Sequence, residues 1–300
     1  MLREKNSRFL MADICYICMM IVPLVCGMVL RILTKPLVEG ITITGAQVYF
    51  TVPMPIQDMP ITEAQINSWL VMISITGLCL FLTHGLKTKN VSVRQRVAEW
   101  IVEKVDMLVK DSMGPYFANF SAFIASILAL SGFSSLLSLL GLFPPTSDLN
   151  VVAGWAVIVF FLITYYKAKA GPVQYVKSFA EPVALAPLNI ISEIATPVSM
   201  AFRHYGNVLS GSVISVLVAT GLQGLSSLVL GWLPGFLGEI PLLRVGLPAI
   251  LSIYFDVFSG LLQAYIFAML TMMYVAGGFP YDEYMKRKNK RDKQKKQEVM

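Results

Sequence analysis

The sequence predicts an all-α integral membrane protein with about six membrane helices, the last two long and strongly tilted with facing polar stripes. Three observations carry that prediction. Apolar residues make up 56% of the 300-residue chain and charged residues only 14%, against roughly 25% charge in soluble domains. The mean hydropathy is +0.66. Apolar runs of the ~20 residues that cross a ~30 Å hydrocarbon core recur along the chain. Such a composition excludes a disordered chain, a secreted disulfide scaffold and a nucleic-acid-binding domain.

The first run, 12–33, follows a basic start with Arg3, Lys5 and Arg8. Asp13 near its beginning, its length and the lack of a small-x-small cleavage site favour a retained membrane helix over a cleaved signal. Cys15 and Cys18 have redox or zinc spacing but no second pair and no neighbouring His in sequence. With Cys26 and Cys79 they are expected to be buried free thiols. Pro53, Pro55 and Pro60 precede the second run, 67–86. A charged loop, 87–110, leads to the third, 117–142. Pro144-Pro145 ends that run, and the fourth covers 150–166. Gly171-Pro172 separates it from the fifth, 188–223. Breakers from Pro234 to Pro241 precede the sixth, 246–276. No internal repeat relates these runs, which disfavours a transporter built on inverted repeats.

Charge sets the orientation. Of 24 Lys and Arg, 20 lie in the N-terminus, the 87–110 loop, the 167–177 loop and the tail after Pro280. Arg31, Lys35 and Arg244 fall on the other side. Excess Lys and Arg mark cytoplasmic segments, so both termini are expected in the cytoplasm. The tail 281–300, basic from Lys286 to Lys296, is expected to be a solvated anchor beside anionic lipid.

The remaining cation, Arg203, lies in the middle of the fifth run. A central intramembrane Arg costs about 2.5–3.5 kcal/mol on insertion scales. Its depth in the run makes snorkelling to an interface hard in an upright helix, so it is the first candidate for function. A helix over 188–223 would extend ~54 Å, too long for an upright span, and must tilt, bend or lie partly along the membrane. Both late runs carry polar stripes at helical spacing. The fifth has Asn189, Ser192, Thr196, Ser199, Arg203, Asn207 and Ser210; the sixth has Ser252, Asp256, Ser259 and Gln263. Interhelical hydrogen-bond glue would explain the hydroxyls, but not an Arg and an Asp at membrane depth. A polar ion path explains both. Ala195, Ala201, Gly206, Ser210 and Gly211 flank the Arg, and such small residues let a partner helix approach.

These segments resemble a known family. Pro187 to Asn207, reading PLNIISEIATPVSMAFRHYGN, is similar to the hallmark segment of subunit a of F-type ATP synthases. Leu262-Gln-Ala-Tyr-Ile-Phe267 with Leu270-Thr271 resembles its second hallmark, and Pro144 to Asn150 its third. The three stand in the family's order, and the resemblance spans 61–278 as an ion-channel domain. Residues 1–36 hold the N-terminus and a helix additional to the common five-helix pattern. The resemblance implies a stator in which Arg203 separates two aqueous half-channels that reach a ring of carboxylate-bearing c subunits. It implies coupling of H⁺ or Na⁺ flow to rotation and ATP synthesis. It implies as partners the c-subunit ring, the b subunits of the peripheral stalk, the catalytic head through the stalks, and the bilayer. It implies a bacterial plasma membrane location. Asn207 and Gln263 match the family's polar partners of the Arg.

The chain departs from the pattern at three places. Ser138 stands before Leu-Leu-Gly where an Asn is usual, Ser212 where Glu is frequent, and Asp256 where some members have His. A carboxylate has moved from the fifth helix to the sixth. Ser138, Asp148, Asn150, Ser212 and Asp256 are assigned to the outer half-channel, and Asn189, Ser192 and Glu193 to the inner one. Asp148 is alternatively an N-cap of the helix near Asn150, and Glu193 alternatively pairs with a basic loop residue such as Lys177. His84 and His204 read as isolated, His204 as a packing residue. There is no metal spacing and no phosphate-cradling Gly loop, so no cofactor, metal, nucleic acid or ATP catalysis is assigned to this chain. Two rivals remain: a transporter whose Arg203 binds an anionic substrate, and a structural scaffold indifferent to loss of that charge.

Overall fold

The computed structural model describes residues 2–34, 45–55, 57–89, 91–169, 172, 175, 186–230, 242–279, 281 and 284–285. Helix α1 is Leu2–Thr34. A two-stranded antiparallel hairpin follows, β1 Val48–Val52 and β2 Met59–Thr62, with Phe50 opposite Ile61. Then come α2 Glu63–Thr83, α3 Val93–Met113 and, after a 3₁₀ turn at Pro115–Phe120, α4 Ser121–Leu136. Helix α5 is Leu149–Lys169 and α6 is Ala186–Leu230. Helix α7, Leu242–Ser252, passes through a π-helical segment, Ile253–Ser259, into α8, Gly260–Gly277. Among the described residues, six helical spans are long and apolar enough to cross a membrane: Leu10–Thr34, Glu63–Thr83, Pro115–Leu140, Leu149–Lys169, Ala186–Ser226 and Ala249–Gly277. They coincide with the six apolar runs to within a few residues. The basic tail from 286 onward and the breakers 231–241 lie outside the described residues.

Two elements differ from expectation. The charged stretch 87–110 is mostly helix. Ser92 starts α3 by accepting the Gln95 N–H at its hydroxyl (3.3 Å), and Gly114 ends it at φ +80°. Glu99, Glu103, Lys104 and Asp106 interrupt any apolar run, yet Val93, Val97, Trp100 and Ile101 are exposed on its surface. A helix with charges set between its apolar residues escapes a search for continuous apolar length. The hairpin is the second difference: Pro60 sits inside β2, an edge strand in a two-stranded sheet, where a missing N–H is tolerated.

The main core is aromatic. Phe117, Phe120, Ile124, Val159, Ile163, Phe267, Met272 and Val275 join the 3₁₀ turn, α4, α5 and α8, and Met200 is the residue α6 adds to them. Lipid tails are as apolar as this core, so burial alone does not hold such helices together; close packing and hydrogen bonds do. Helix α1 illustrates the first. A Cβ on Gly77 of α2 would come within 3.0–3.1 Å of backbone atoms of Met20, Met19 and Tyr16, so the glycine permits the contact. Polar contacts then fasten one end of α1. Asp13 Oδ1 accepts from Arg94 Nη1 at 2.8 Å and lies 2.9 Å from His84 Nδ1, while Arg94 Nη2 donates to the His84 carbonyl at 2.8 Å. His84 is therefore not isolated: it ties α1, α2 and α3. At the other end Arg31 Nε lies 3.6 Å from the buried Glu63 carboxylate. The four cysteines are free, as expected, but exposed on the chain's surface and not buried, because their helices present these faces outward.

Replacing Gly77 by Leu should separate α1 from α2. The expected cost is about 1–3 kcal/mol, read as a lower unfolding temperature of the detergent-solubilised protein. An unchanged unfolding temperature would contradict a backbone-to-backbone contact there.

Candidate functional site

Helix α6 carries Arg203 on an open face. Along the stripe, Ser192, Ser199, Arg203 and Ser210 are exposed and Asn189, Thr196 and Asn207 half-buried. Leu188, Ile191, Ile194, Val198 and Phe202 are exposed beside them. Arg203 makes no hydrogen bond or ion pair with the described residues. A Cβ on Gly206, one turn on, would meet nothing within 4 Å. A guanidinium is charged at any accessible pH and presents five donors in a rigid fork. Here none of those donors is engaged among the described residues.

The two sequence-assigned companions of Arg203 are placed differently. Asn207 Nδ2 donates to Ser259 Oγ at 2.7 Å, and its longer contact to the Ser259 carbonyl is 3.5 Å. This bond crosses from α6 to the π-helical segment and joins the two polar stripes. Gln263 is buried, one turn into α8. Beyond Asn207, a Cβ on Gly211 would stand 2.9 Å from the Phe255 ring, so α6 reaches this segment only because position 211 lacks one. Gly211 thus serves an approach within the chain, whereas Gly206 remains open to a partner.

Of the residues that the sequence assigns to the outer half-channel, Asp256 sits in the π-helical segment and accepts a short hydrogen bond from the Ser252 hydroxyl. Wide π turns inside α-helices recur at functional sites. Ser212 is exposed, and its hydroxyl donates back to the Leu209 carbonyl at 2.8 Å. Ser138 donates to the Ser135 carbonyl at 2.8 Å in the turn that closes α4. Asp148 is the N-cap of α5. Its backbone is extended, its Oδ1 accepts the Asn150 N–H at 2.9 Å, and Thr62 Oγ1 approaches Oδ2 at 3.5 Å. Asn150 itself is exposed.

Of the residues assigned to the inner half-channel, Glu193 is engaged on both oxygens. Lys167 Nζ, in the last turn of α5, donates to Oε1 at 2.8 Å and Oε2 at 2.7 Å, and the Tyr175 hydroxyl donates to Oε1 at 3.3 Å. Burial first, and then the Glu193 carboxylate, push the Tyr175 phenol above its ordinary value, which keeps it a donor. Glu193 does pair with a cation, but with Lys167; Lys177 lies outside the described residues. Ser192 is exposed and Asn189 half-buried, one turn nearer the start of α6.

His204 was the residue least legible in the sequence. It is fully buried, with Nε2 3.3 Å from the Ser131 hydroxyl of α4 and its ring edge-on to Trp155 and Phe267. The packing role read from sequence therefore holds, but the isolation does not. Its partner is 73 residues away, beyond any local pattern.

Comparison with known proteins adds a family to this geometry. The family model described as ATP synthase A chain matches residues 65–276. ATP synthase subunit a of Legionella pneumophila (strain Paris) is 28% identical over 228 residues, covering 75% of this chain and 90% of that protein. Subunit a of Macrococcus caseolyticus is 30% identical over 227 residues, with 70% and 88% covered. The protein named ATP synthase subunit a, sodium ion specific, from Propionigenium modestum is 28% identical over 289 residues, with 84% and 89% covered.

Lys167 and Glu193 should be energetically coupled. A double-mutant cycle with Lys167→Ala and Glu193→Ala is expected to give a coupling energy of about 1 kcal/mol, the upper end for partly exposed pairs, read from unfolding of the purified protein. Additive effects would make the pair a surface coincidence.

Proposed function

The chain belongs to the ATP synthase A chain family and is an ion-translocating stator subunit of an F-type ATP synthase; we propose that Arg203 is the charge through which it couples ion flow to rotation. One observation carries this: a guanidinium exposed in the middle of a 41-residue apolar span, unpaired among the described residues. Its natural complement is a carboxylate on a neighbouring rotor helix. Two unit charges about 4 Å apart attract by about 4 kcal/mol at an effective dielectric of ~20. That favours the ionised carboxylate beside Arg203 by roughly a thousandfold. A loaded rotor carboxyl arriving there releases its ion. Once past the Arg it must reload, because a bare carboxylate facing lipid is costly. Alternating release and reloading from two separate paths converts ion flow into rotation.

In this proposal Ser138, Asp148, Asn150, Ser212 and Asp256 border the path from the outer side, and Asn189, Ser192 and Glu193 the path to the inner side. Asn207 and Gln263 flank Arg203. The exposed stripe on α6 and the Asn207–Ser259 bond to the second stripe support the arrangement. Asp148 also caps α5, so its path role is shared with a structural one. Glu193 would act as an ion pair with Lys167. The coupling ion is H⁺ or Na⁺; the likeness to a sodium-specific relative makes both worth testing. The c ring, the b subunits of the peripheral stalk and the catalytic head would be its partners, the chain itself having no catalytic part. Both termini would face the cytoplasm of a bacterial cell, since Lys and Arg concentrate on that side.

Arg203→Ala is expected to abolish ATP-driven pumping and ATP synthesis in an assembled complex. Arg203→Lys should fail nearly as badly, because an ammonium lacks the planar fork and deprotonates when desolvated. Normal coupled synthesis with Lys would reduce the requirement to a point charge; normal synthesis with Ala would sink the channel reading. Asp256→Asn should slow ion flow without preventing assembly, and full activity in Asp256→Ala would make the residue structural only. A cysteine placed in the basic tail, in a chain whose four native cysteines are replaced, should resist an impermeant maleimide in intact cells. Labelling from outside would reverse the orientation.

A further inference from the structure

Helix α6 presents a problem of rotation. Between Ala186 and Thr220 only Pro197, Met200, Ala201, His204 and Gly211 are buried. The rest of this length is open or half-open. In hydrocarbon, apolar side chains do not decide which face of a helix points inward, since lipid competes equally for them. Polar groups do, because one turned into lipid loses its hydrogen bonds. At ~100° per residue, the five buried positions form one stripe with His204 near its centre. Arg203 lies one residue away, about 100° round the helix.

We propose that His204 is a positioning residue: its buried imidazole, anchored to Ser131, sets the rotation of α6 and thereby aims Arg203 outward. The contacts favour this. Nε2 meets the Ser131 hydroxyl of α4 at 3.3 Å. Trp155 of α5 and Phe267 of α8 hold the ring edge-on at centroid distances of 6.0 and 5.7 Å. Three helices thus grip one side chain of the fourth. Nδ1 has no partner among the described residues, so the ring has one polar tether there and its orientation depends on Ser131. The other polar tether between α6 and its neighbours in this region, Asn207 to Ser259, lies three residues along and holds α6 to the π-helical segment instead of α4. Two tethers to different elements, at 204 and 207, fix both the rotation and the lateral position of the turn that begins at Arg203 on the exposed stripe.

The inference rests on the stator reading, and the test separates the two. In the complete complex, with native cysteines replaced, single cysteines are placed at Ser199, on the Arg203 face, or at Phe202, about 100° away. Each is cross-linked to a cysteine beside the rotor carboxylate, and the ratio of the two yields is measured. The wild-type background should favour 199 strongly. His204→Leu should lower the ratio about fivefold, the population change that losing one net hydrogen bond produces, while ATP-driven transport falls. His204→Gln, which can still bond Ser131, should keep the ratio and most transport. Ser131→Ala should lower the ratio like His204→Leu, and stands in for it if the Leu variant does not assemble. A ratio unchanged in both His204→Leu and Ser131→Ala overturns the proposal, as does a ratio that falls equally in His204→Gln and His204→Leu. Absence of any cross-link from either position in the wild-type background would instead defeat the stator reading itself.

Discussion

A permanently charged guanidinium on the open face of an apolar helix is the constraint around which this molecule is arranged. Arg203 costs about 2.5–3.5 kcal/mol to hold at membrane depth, and the described part of its own chain offers it no hydrogen bond or ion pair. A folded protein tolerates such a group when something outside it supplies the complement. The exposed apolar residues beside it, Ile194, Val198 and Phe202, and the open space at Gly206 describe a surface suited to a passing helix. In the proposed mechanism the cost of the isolated charge would be offset each time a carboxylate arrived.

The remainder of the fold keeps that surface fixed. The aromatic core of α4, α5 and α8 forms a block against which α6 lies by a narrow stripe. Polar contacts do the orienting: His204 to Ser131, Asn207 to Ser259, and Lys167 to Glu193. The first two follow Arg203 within four residues, and the third holds the start of α6 to the end of α5. In a solvent as apolar as the core, these few bonds carry directional information that hydrophobic patterning lacks. Helix α1 is attached by a similar device, with Asp13, His84 and Arg94 at one end and Arg31 with Glu63 at the other.

Hydropathy made the six spans legible, because length and apolarity are properties of each segment alone. Arg203 was legible for the same reason: one cation in a long apolar run stands out without any knowledge of its neighbours. Helix α3 is hidden from hydropathy because its charges break every apolar window, while its Ser92 cap and terminal Gly114 mark its ends. The π-helical turn at Asp256 has no local sequence signature, since it depends on how α7 and α8 pack against α6 and α4. The tethers were hidden for a related reason. Ser131 and Ser259 lie 73 and 52 residues from their partners, and neither spacing nor composition predicts such pairings; for Glu193 the basic stretch 167–177 points to a cation in kind, and Lys167 takes that place. The cysteines were misplaced because apolar surroundings in sequence were equated with burial, whereas in a membrane protein apolar faces also turn outward.

The barrier role of Arg203 is tested most directly by passive ion conductance of the membrane sector. The sector, stripped of its catalytic head, is reconstituted in vesicles with and without Arg203→Ala, and flux is followed at a fixed potential with H⁺ and then Na⁺ as the driven ion. If the guanidinium separates two paths, its removal should raise the leak, because no other cation among the described side chains stands on the α6 stripe. A conductance that stays the same or falls in an assembled Arg203→Ala sector would contradict the separation of two half-channels by this charge.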